Sequence, residues 1–212
     1  GHIITGAPNE SYAGETLAGG ADLDGDGLDD LLIGAPSDHS YSSSAGAFYV
    51  VWGPATGVPT VREAAARITG DADSGGLASH LLAVPDLDGD GYDDLIVGTA
   101  GNTSAGTGAG AAYVYYGHAS GMASATEEQL FASDASAGDY FGISTAGLGD
   151  VDGDGYDDIA LGAYLDSSGA TRAGSVYIYQ GSTTGVDRSS EQELTALSPV
   201  VYENYGLAVE GA

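Results

Sequence analysis

The sequence predicts an all-β chain, about three β-propeller blades of four antiparallel strands each, in a ring left incomplete within the chain. Three observations predict it. The 212 residues contain an internal repeat with a period of 64. Short runs of apolar, β-branched and aromatic residues lie between glycine-rich turns. The composition is 42% hydrophobic with 36 glycines, apolar enough to fold despite a formal net charge of -27.

The repeat is clearest in an acidic loop. Residues 22–30 read Asp-Leu-Asp-Gly-Asp-Gly-Leu-Asp-Asp; residues 86–94 and 150–158 repeat that frame with Tyr at the seventh position, and Val replaces Leu at the second position of the last. Positions outside the loop share the offset without gaps: Gly34, Gly98 and Gly162; Gly46, Gly110 and Gly174; Gly53, Gly117 and Gly181; Gly57, Gly121 and Gly185; Tyr49, Tyr113 and Tyr177. The repeats span approximately 7–70, 71–134 and 135–198, with partial repeats at 1–6 and 199–212.

Each element of a blade has its own signal. A first strand precedes the loop, as in Phe141 to Leu148. A second follows at once, in Leu31 to Ile33, Leu95 to Val97 and Ile159 to Leu161. A third is aromatic: Phe48 to Trp52, Tyr113 to Tyr116 and Val176 to Tyr179. A fourth, around Arg67 to Thr69, Gln129 to Phe131 and Glu193 to Thr195, has the polar flanks of an exposed edge. Arg62 to Arg67 alone reads as helical, and it is short for an independent helix. By this segmentation the sequence starts in a fourth strand, near His2 to Thr5, and stops in a first strand, Tyr205 to Val209. Three blades do not close a ring, so the expectation is a segment of a longer array, with an assembling subunit as the alternative.

Five aspartates in nine residues repel one another by roughly 1–4 kcal/mol per close pair unless a cation neutralises them. Side chains at loop positions 1, 3 and 5 converge when the backbone wraps round a point, and glycines at positions 4 and 6 allow that wrapping. A carbonyl at position 7 and a carboxylate at position 9 complete an all-oxygen shell, which selects a hard cation, Ca2+ over Mg2+. The candidate ligands are Asp22, Asp24, Asp26, Leu28 (carbonyl) and Asp30; Asp86, Asp88, Asp90, Tyr92 (carbonyl) and Asp94; and Asp150, Asp152, Asp154, Tyr156 (carbonyl) and Asp158, for about three ions. An EF-hand needs Glu at position 12, where this chain has Ile33, Val97 or Leu161. Position 8 (Asp29, Asp93, Asp157) either supports the ligands from outside or leads the next strand on its solvent side.

These residues resemble the FG-GAP repeats of integrin alpha-subunit propellers and their bacterial relatives. The Phe-Gly is present as Phe141-Gly142, and becomes Tyr205-Gly206 and Ala13-Gly14. Gly-Ala-Pro stands at residues 34–36 and is altered at 98–100 and 162–164. The resemblance covers essentially the whole chain. It implies a propeller with calcium between the first and second strands of a blade, on an extracellular or cell-surface protein. Integrin cysteines are missing, so an integrin's partner and signalling role do not carry over.

Composition removes other classes. A chain with four Arg and no Lys against 31 Asp and Glu does not fit nucleic acid or an anionic membrane. No Cys excludes disulfides and thiolate chemistry, no apolar run is long enough for a helix to span a bilayer, and any secretion signal has been removed or lies outside the sequence. No nucleophile elbow, zinc-protease or phosphate-loop motif appears, so no enzyme is expected. Tyr113, Tyr115, Tyr116, Tyr177 and Tyr179 have strand spacing and read as packing, with a carbohydrate platform including Trp52 as the alternative. His2, His39, His80 and His118 fall at unrelated phases and read as non-ligands. Asn9 and Asn102 open glycosylation sequons. The expected function is an extracellular calcium-stabilised binding or adhesion module for a protein or glycan; the alternative is a non-catalytic propeller of a larger secreted enzyme acting on carbohydrate or phospholipid.

Overall fold

The computed structural model describes residues 3–6, 10–39, 45–54, 64, 66–70, 75–121, 127–198 and 200–211. Among them are fourteen strands and no helix. Three four-stranded antiparallel sheets account for most of them. The first sheet holds β2 (Thr16–Ala21), β3 (Asp30–Ala35), β5 (Ala47–Val51) and β6 (Ala66–Thr69) in that order. The second runs β7 (His80–Val84), β8 (Asp94–Thr99), β9 (Ala111–Tyr115), β10 (Glu127–Leu130). The third runs β11 (Ser144–Gly149), β12 (Asp158–Ala163), β13 (Ser175–Gln180), β14 (Asp187–Thr195). A short pair, β1 (Glu10–Ser11) with β4 (Ser37–Asp38), lies beside the first. Each sheet is a blade, β2 lies against β7 and β7 against β11, and the arc is open.

The period of two along each strand divides the core between neighbouring blades. In the second blade Leu95, Val97, Tyr113 and Tyr115 turn toward the first, where Leu32, Phe48 and Val50 meet them. Ile96, Ala112 and Val114 turn the other way, against Ile159, Leu161, Tyr177 and Tyr179 of the third. Aromatic edges lock both seams: Phe48 meets Tyr115 at 5.2 Å and Phe141 meets Tyr177 at 5.4 Å, both edge to face. The tyrosines named above as a possible carbohydrate platform are thus buried in these seams, because their rings fill the space between sheets. The fourth strands are more exposed than the second and third strands of their blades, as expected of outer edges.

One polar position recurs under the seams. Asp38, Asn102 and Asp166 are buried, each engaging the hydroxyl of its blade's third-strand tyrosine. In the first blade Arg67 completes the group, its Nη2 2.9 Å from Asp38 Oδ2. In the second, Gln129 donates to the Tyr113 hydroxyl at 2.7 Å. In the third the surroundings are acidic: Tyr177 donates to Asp134 at 2.8 Å, and Ser175 lies within reach of both Asp166 and Glu193. Asn102, 0% exposed, is not open to glycosylation; Asn9 lies outside the described residues.

Two expectations are corrected. Ala66 and Arg67 belong to β6, where pairing with Tyr49 and Val50 overrides local helix propensity; residues 62, 63 and 65 of that segment lie outside the described residues. Tyr205 to Val209 forms no strand. The segment docks as its counterparts do, with Tyr205 N donating to Ala173 O at 2.7 Å and Ser144 Oγ to Gly206 O at 2.9 Å. A first strand pairs with the second strand of its blade, and among the described residues no second strand lies beside this segment. Residues 3–6 likewise contribute no named strand, and His2 lies outside the described residues.

The glycine of the Phe-Gly pair is a steric necessity. Gly142 has φ +80°, and a Cβ there would stand 2.3 Å from Ala111 O. Gly142→Ala is expected to destabilise the chain by about 2 kcal/mol or more in urea titrations, whereas Gly138→Ala, strained but in open space, costs less. Burial, helped by the charges of Asp166 and Asp134, pushes the Asp139 carboxyl from 3.8 up to about 6, against the Ser136 N–H that favours its ionised form. The fold therefore keeps this proton where the unfolded chain has released it, and this group adds stability as pH falls from above 6 toward 4. Asp139→Asn cannot ionise, so its advantage over wild type should be largest above pH 7 and vanish near pH 4. A pH-independent difference in urea titrations would contradict this.

Candidate metal centres

The three acidic loops join the first and second strands of each blade, and their hydrogen bonds follow one pattern, with one more donor on the first aspartate in the second and third loops. The first aspartate is the hub. Asp22 accepts from the N–H groups of Asp26 (3.0 Å) and Gly27 (2.8 Å). Asp86 accepts from Gly89, Asp90 and Gly91 at 2.6, 2.9 and 2.8 Å. Asp150 does the same with Gly153, Asp154 and Gly155 at 2.7, 3.0 and 3.0 Å. Position 3 then accepts from the N–H of position 5, and position 5 from that of position 7, in every loop. These bonds wind the backbone round one point, and the glycines at positions 4 and 6 all have φ between +74° and +99°.

Carboxylate oxygens converge as a result. One from each of Asp22, Asp24 and Asp30 lies within 4.8 Å of the others; so do those of Asp86, Asp88 and Asp90, and those of Asp150, Asp152 and Asp158. Of the expected carboxylate ligands, Asp26, Asp94 and Asp154 stand outside these closest groups. The donors are all oxygen, and the ion pairs of the described residues, Arg67 with Asp38 and Arg188 with Glu128, lie at fourth strands away from the loops. A hard cation is the chemical match to such a donor set. A fourth group, Asp134, Asp166 and Glu193, converges similarly under the third blade. Sequence reasoning missed it because its members sit in three separate segments; the tell-tale was an acid at the repeat position where Asn102 stands.

The ninth position has a role that spacing does not reveal. Its carboxylate spans the loop's second residue and the glycine after the third strand. Asp30 takes Leu23 N and Gly53 N at 2.9 Å each; Asp94 takes Leu87 N at 2.7 Å and Gly117 N at 2.8 Å; Asp158 takes Val151 N at 2.8 Å and Gly181 N at 3.0 Å. All three are buried. Burial pushes the Asp94 carboxyl up to about 7 and raises that of Asp30, although the two N–H donors pull each down. Burial also raises Asp88, with the charges of Asp90 and Asp86 adding to it.

The eighth position acts between blades. Asp93 Oδ2 accepts from Asp22 N at 2.9 Å, and Asp93 N donates to Asp22 O at 3.3 Å. Asp157 is raised by burial and by neighbouring charges that include Asp86 and Asp93 of the previous blade's loop. Two of the histidines have hydroxyl partners rather than loop carboxylates: His80 Nδ1 meets Thr145 Oγ1 at 2.8 Å and His118 Nδ1 meets Ser120 Oγ at 2.8 Å.

Comparison with known proteins agrees with this geometry. The model of the FG-GAP repeat matches residues 13–51, 78–115 and 141–179, one stretch per blade. Integrin alpha-4 of Xenopus laevis is 32% identical over 160 residues, covering 74% of this chain and 15% of the relative. Human integrin alpha-IIb is 33% identical over 173 residues, 77% of this chain and 16% of its own length. Human integrin alpha-7 is 37% identical over 137 residues, 63% of this chain and 11% of its own. The chain therefore spans about a sixth or less of the length of the curated relatives it matches. No helix of the described residues is long and apolar enough to cross a membrane. With the three matched stretches falling on three blades, each carrying its acidic loop between first and second strands, the chain belongs to the FG-GAP repeat family.

Proposed function

We propose that the chain is an extracellular, Ca2+-stabilised propeller segment that serves as a binding or adhesion module. The observation that carries this reading is the congruence of three all-oxygen loops along one rim, in a chain whose relatives are integrin alpha subunits. The repeats 7–70, 71–134 and 135–198 are its units. Asp22, Asp24, Asp26 and Asp30 with the Leu28 carbonyl hold the first ion, and the equivalent residues of the other two loops hold two more. Bound Ca2+ supplies positive charge that offsets the carboxylate repulsion and ties the first strand of each blade to the second. The chain's own residues do the rest: the position 1 aspartate shapes the loop, and the ninth anchors it to the blade.

The reading makes the repeats non-catalytic. Their ligand is a protein or glycan on an extracellular surface, reached through the rim, and neither nucleic acid nor membrane insertion is involved. Further blades, from a longer chain or a second copy, complete the ring.

Thermal melts in Ca2+ and in chelator test the metal reading. Each site adds about 2.7 kcal/mol at a hundredfold excess of Ca2+ over Kd, so the midpoint should rise clearly, and more than in equal Mg2+. Calorimetric titration should count about three ions. A melt that does not move would end the calcium reading. The binding role is checked by arraying extracellular glycans and matrix proteins against the chain with and without Ca2+; no Ca2+-dependent capture from either class would argue for a spacer.

A further inference from the structure

The loops are not separate modules. Tyr92 belongs to the second loop, yet its ring lies over the first: a Cβ on Gly25 would stand 2.4 Å from Tyr92 Cε1. Tyr156 of the third loop lies over the second in the same way, 2.7 Å from a Cβ on Gly89. Gly153, in the third loop, has nothing within 4 Å. Hydrogen bonds follow the same direction. Asp93 and Asp22 exchange two, one backbone to backbone and one from Asp22 N to the Asp93 carboxylate, and the carbonyls at loop position 2, Leu23 and Leu87, accept from His118 N at 3.0 Å and Ser182 N at 3.3 Å of the following blade.

We propose that the three loops take up Ca2+ as a coupled row, with Tyr92 and Tyr156 as the residues that position each loop against its predecessor. The proposal rests on the calcium reading above. Each tyrosine has two attachments. Its N–H is fixed by the position 5 aspartate of its own loop (3.0 Å in both), and its carbonyl is a ligand in that reading; its ring bears on the glycine of the loop before. An ion that orders the second loop therefore fixes Tyr92 and Asp93, which hold the Gly25 turn and the Asp22 backbone of the first. The first loop then loses less freedom on binding, and its affinity rises; by thermodynamic reciprocity the second gains the same factor. Repulsion between two bound ions opposes this and is screened over about 8 Å at physiological salt. Coupling runs between neighbours only, so the first and third loops communicate through the second.

The test follows the backbone amide resonances of Gly25, Gly27, Gly89, Gly91, Gly153 and Gly155, two reporters per loop, through a Ca2+ titration of the full chain. Disabling the second loop with Asp88→Asn and Asp90→Asn should weaken both the first and the third by about 5-fold or more. Disabling the third with Asp152→Asn should weaken the second and leave the first within twofold once the second is saturated. Tyr92→Ala should weaken the first loop and leave the third unchanged, and Tyr92→Phe, which keeps the ring, should restore wild-type behaviour. The amide spectrum itself reports whether each variant is folded. If all three loops titrate but disabling the second leaves the first within twofold, the proposal is overturned while the calcium reading stands. If no glycine resonance moves, the calcium reading falls and the proposal with it.

Discussion

A buried carboxylate at the end of each acidic loop is the constraint on which the blade depends. Asp30, Asp94 and Asp158 each accept one N–H from the start of the loop and another from the glycine that leaves the third strand. Three segments of a blade are thereby tied at one group. Removing such an acceptor leaves two amide donors unpaired in the interior, at a cost of roughly 1–3 kcal/mol each. The glycines at 53, 117 and 181 follow from the same tie: a Cβ there would stand 2.7, 2.2 and 2.3 Å from the carbonyl of the residue preceding the anchor.

Above that tie the structure is a stack of sheets with two unlike faces. Odd-numbered residues of the second and third strands pack on the preceding blade and even-numbered ones on the following blade, and the even period of 64 keeps the assignment from repeat to repeat. Tyr113 and Tyr177 thus project to the same side of successive sheets. The seams carry the aromatic surface, while the unpaired outer faces of the first and third blades hold the smaller groups around Ile33 and Tyr49 and around Ala146 and Val176.

Much of this was legible because its causes are local. The loop geometry follows from aspartates accepting the amides two to five residues ahead and from glycines that allow positive φ, so spacing alone locates it. Strands two and three were legible from their apolar runs, since both faces are buried. What spacing could not show were relations across blades. Asp93 looks like its neighbours in sequence, but its partner, Asp22, is 71 residues away. The acids at 134, 166 and 193 meet only after two strands have paired. The segment 205–209 has the composition of a strand and pairs with none among the described residues. Polar residues at fourth strands also concealed the length of β14, nine residues held by pairing with β13 through a bulge.

The brace on the first and second loops comes from residues that are made later. The first loop is complete at residue 30, but the groups that seat it, Tyr92, Asp93 and His118, belong to the next repeat. At 5–20 residues per second the ribosome needs roughly 3–13 s to add 64 residues. For that interval a finished loop with five carboxylates waits without its support. The order of synthesis thus becomes an order of maturation: each repeat is completed by its successor, and the last loop in any stretch of the nascent chain is the one still open.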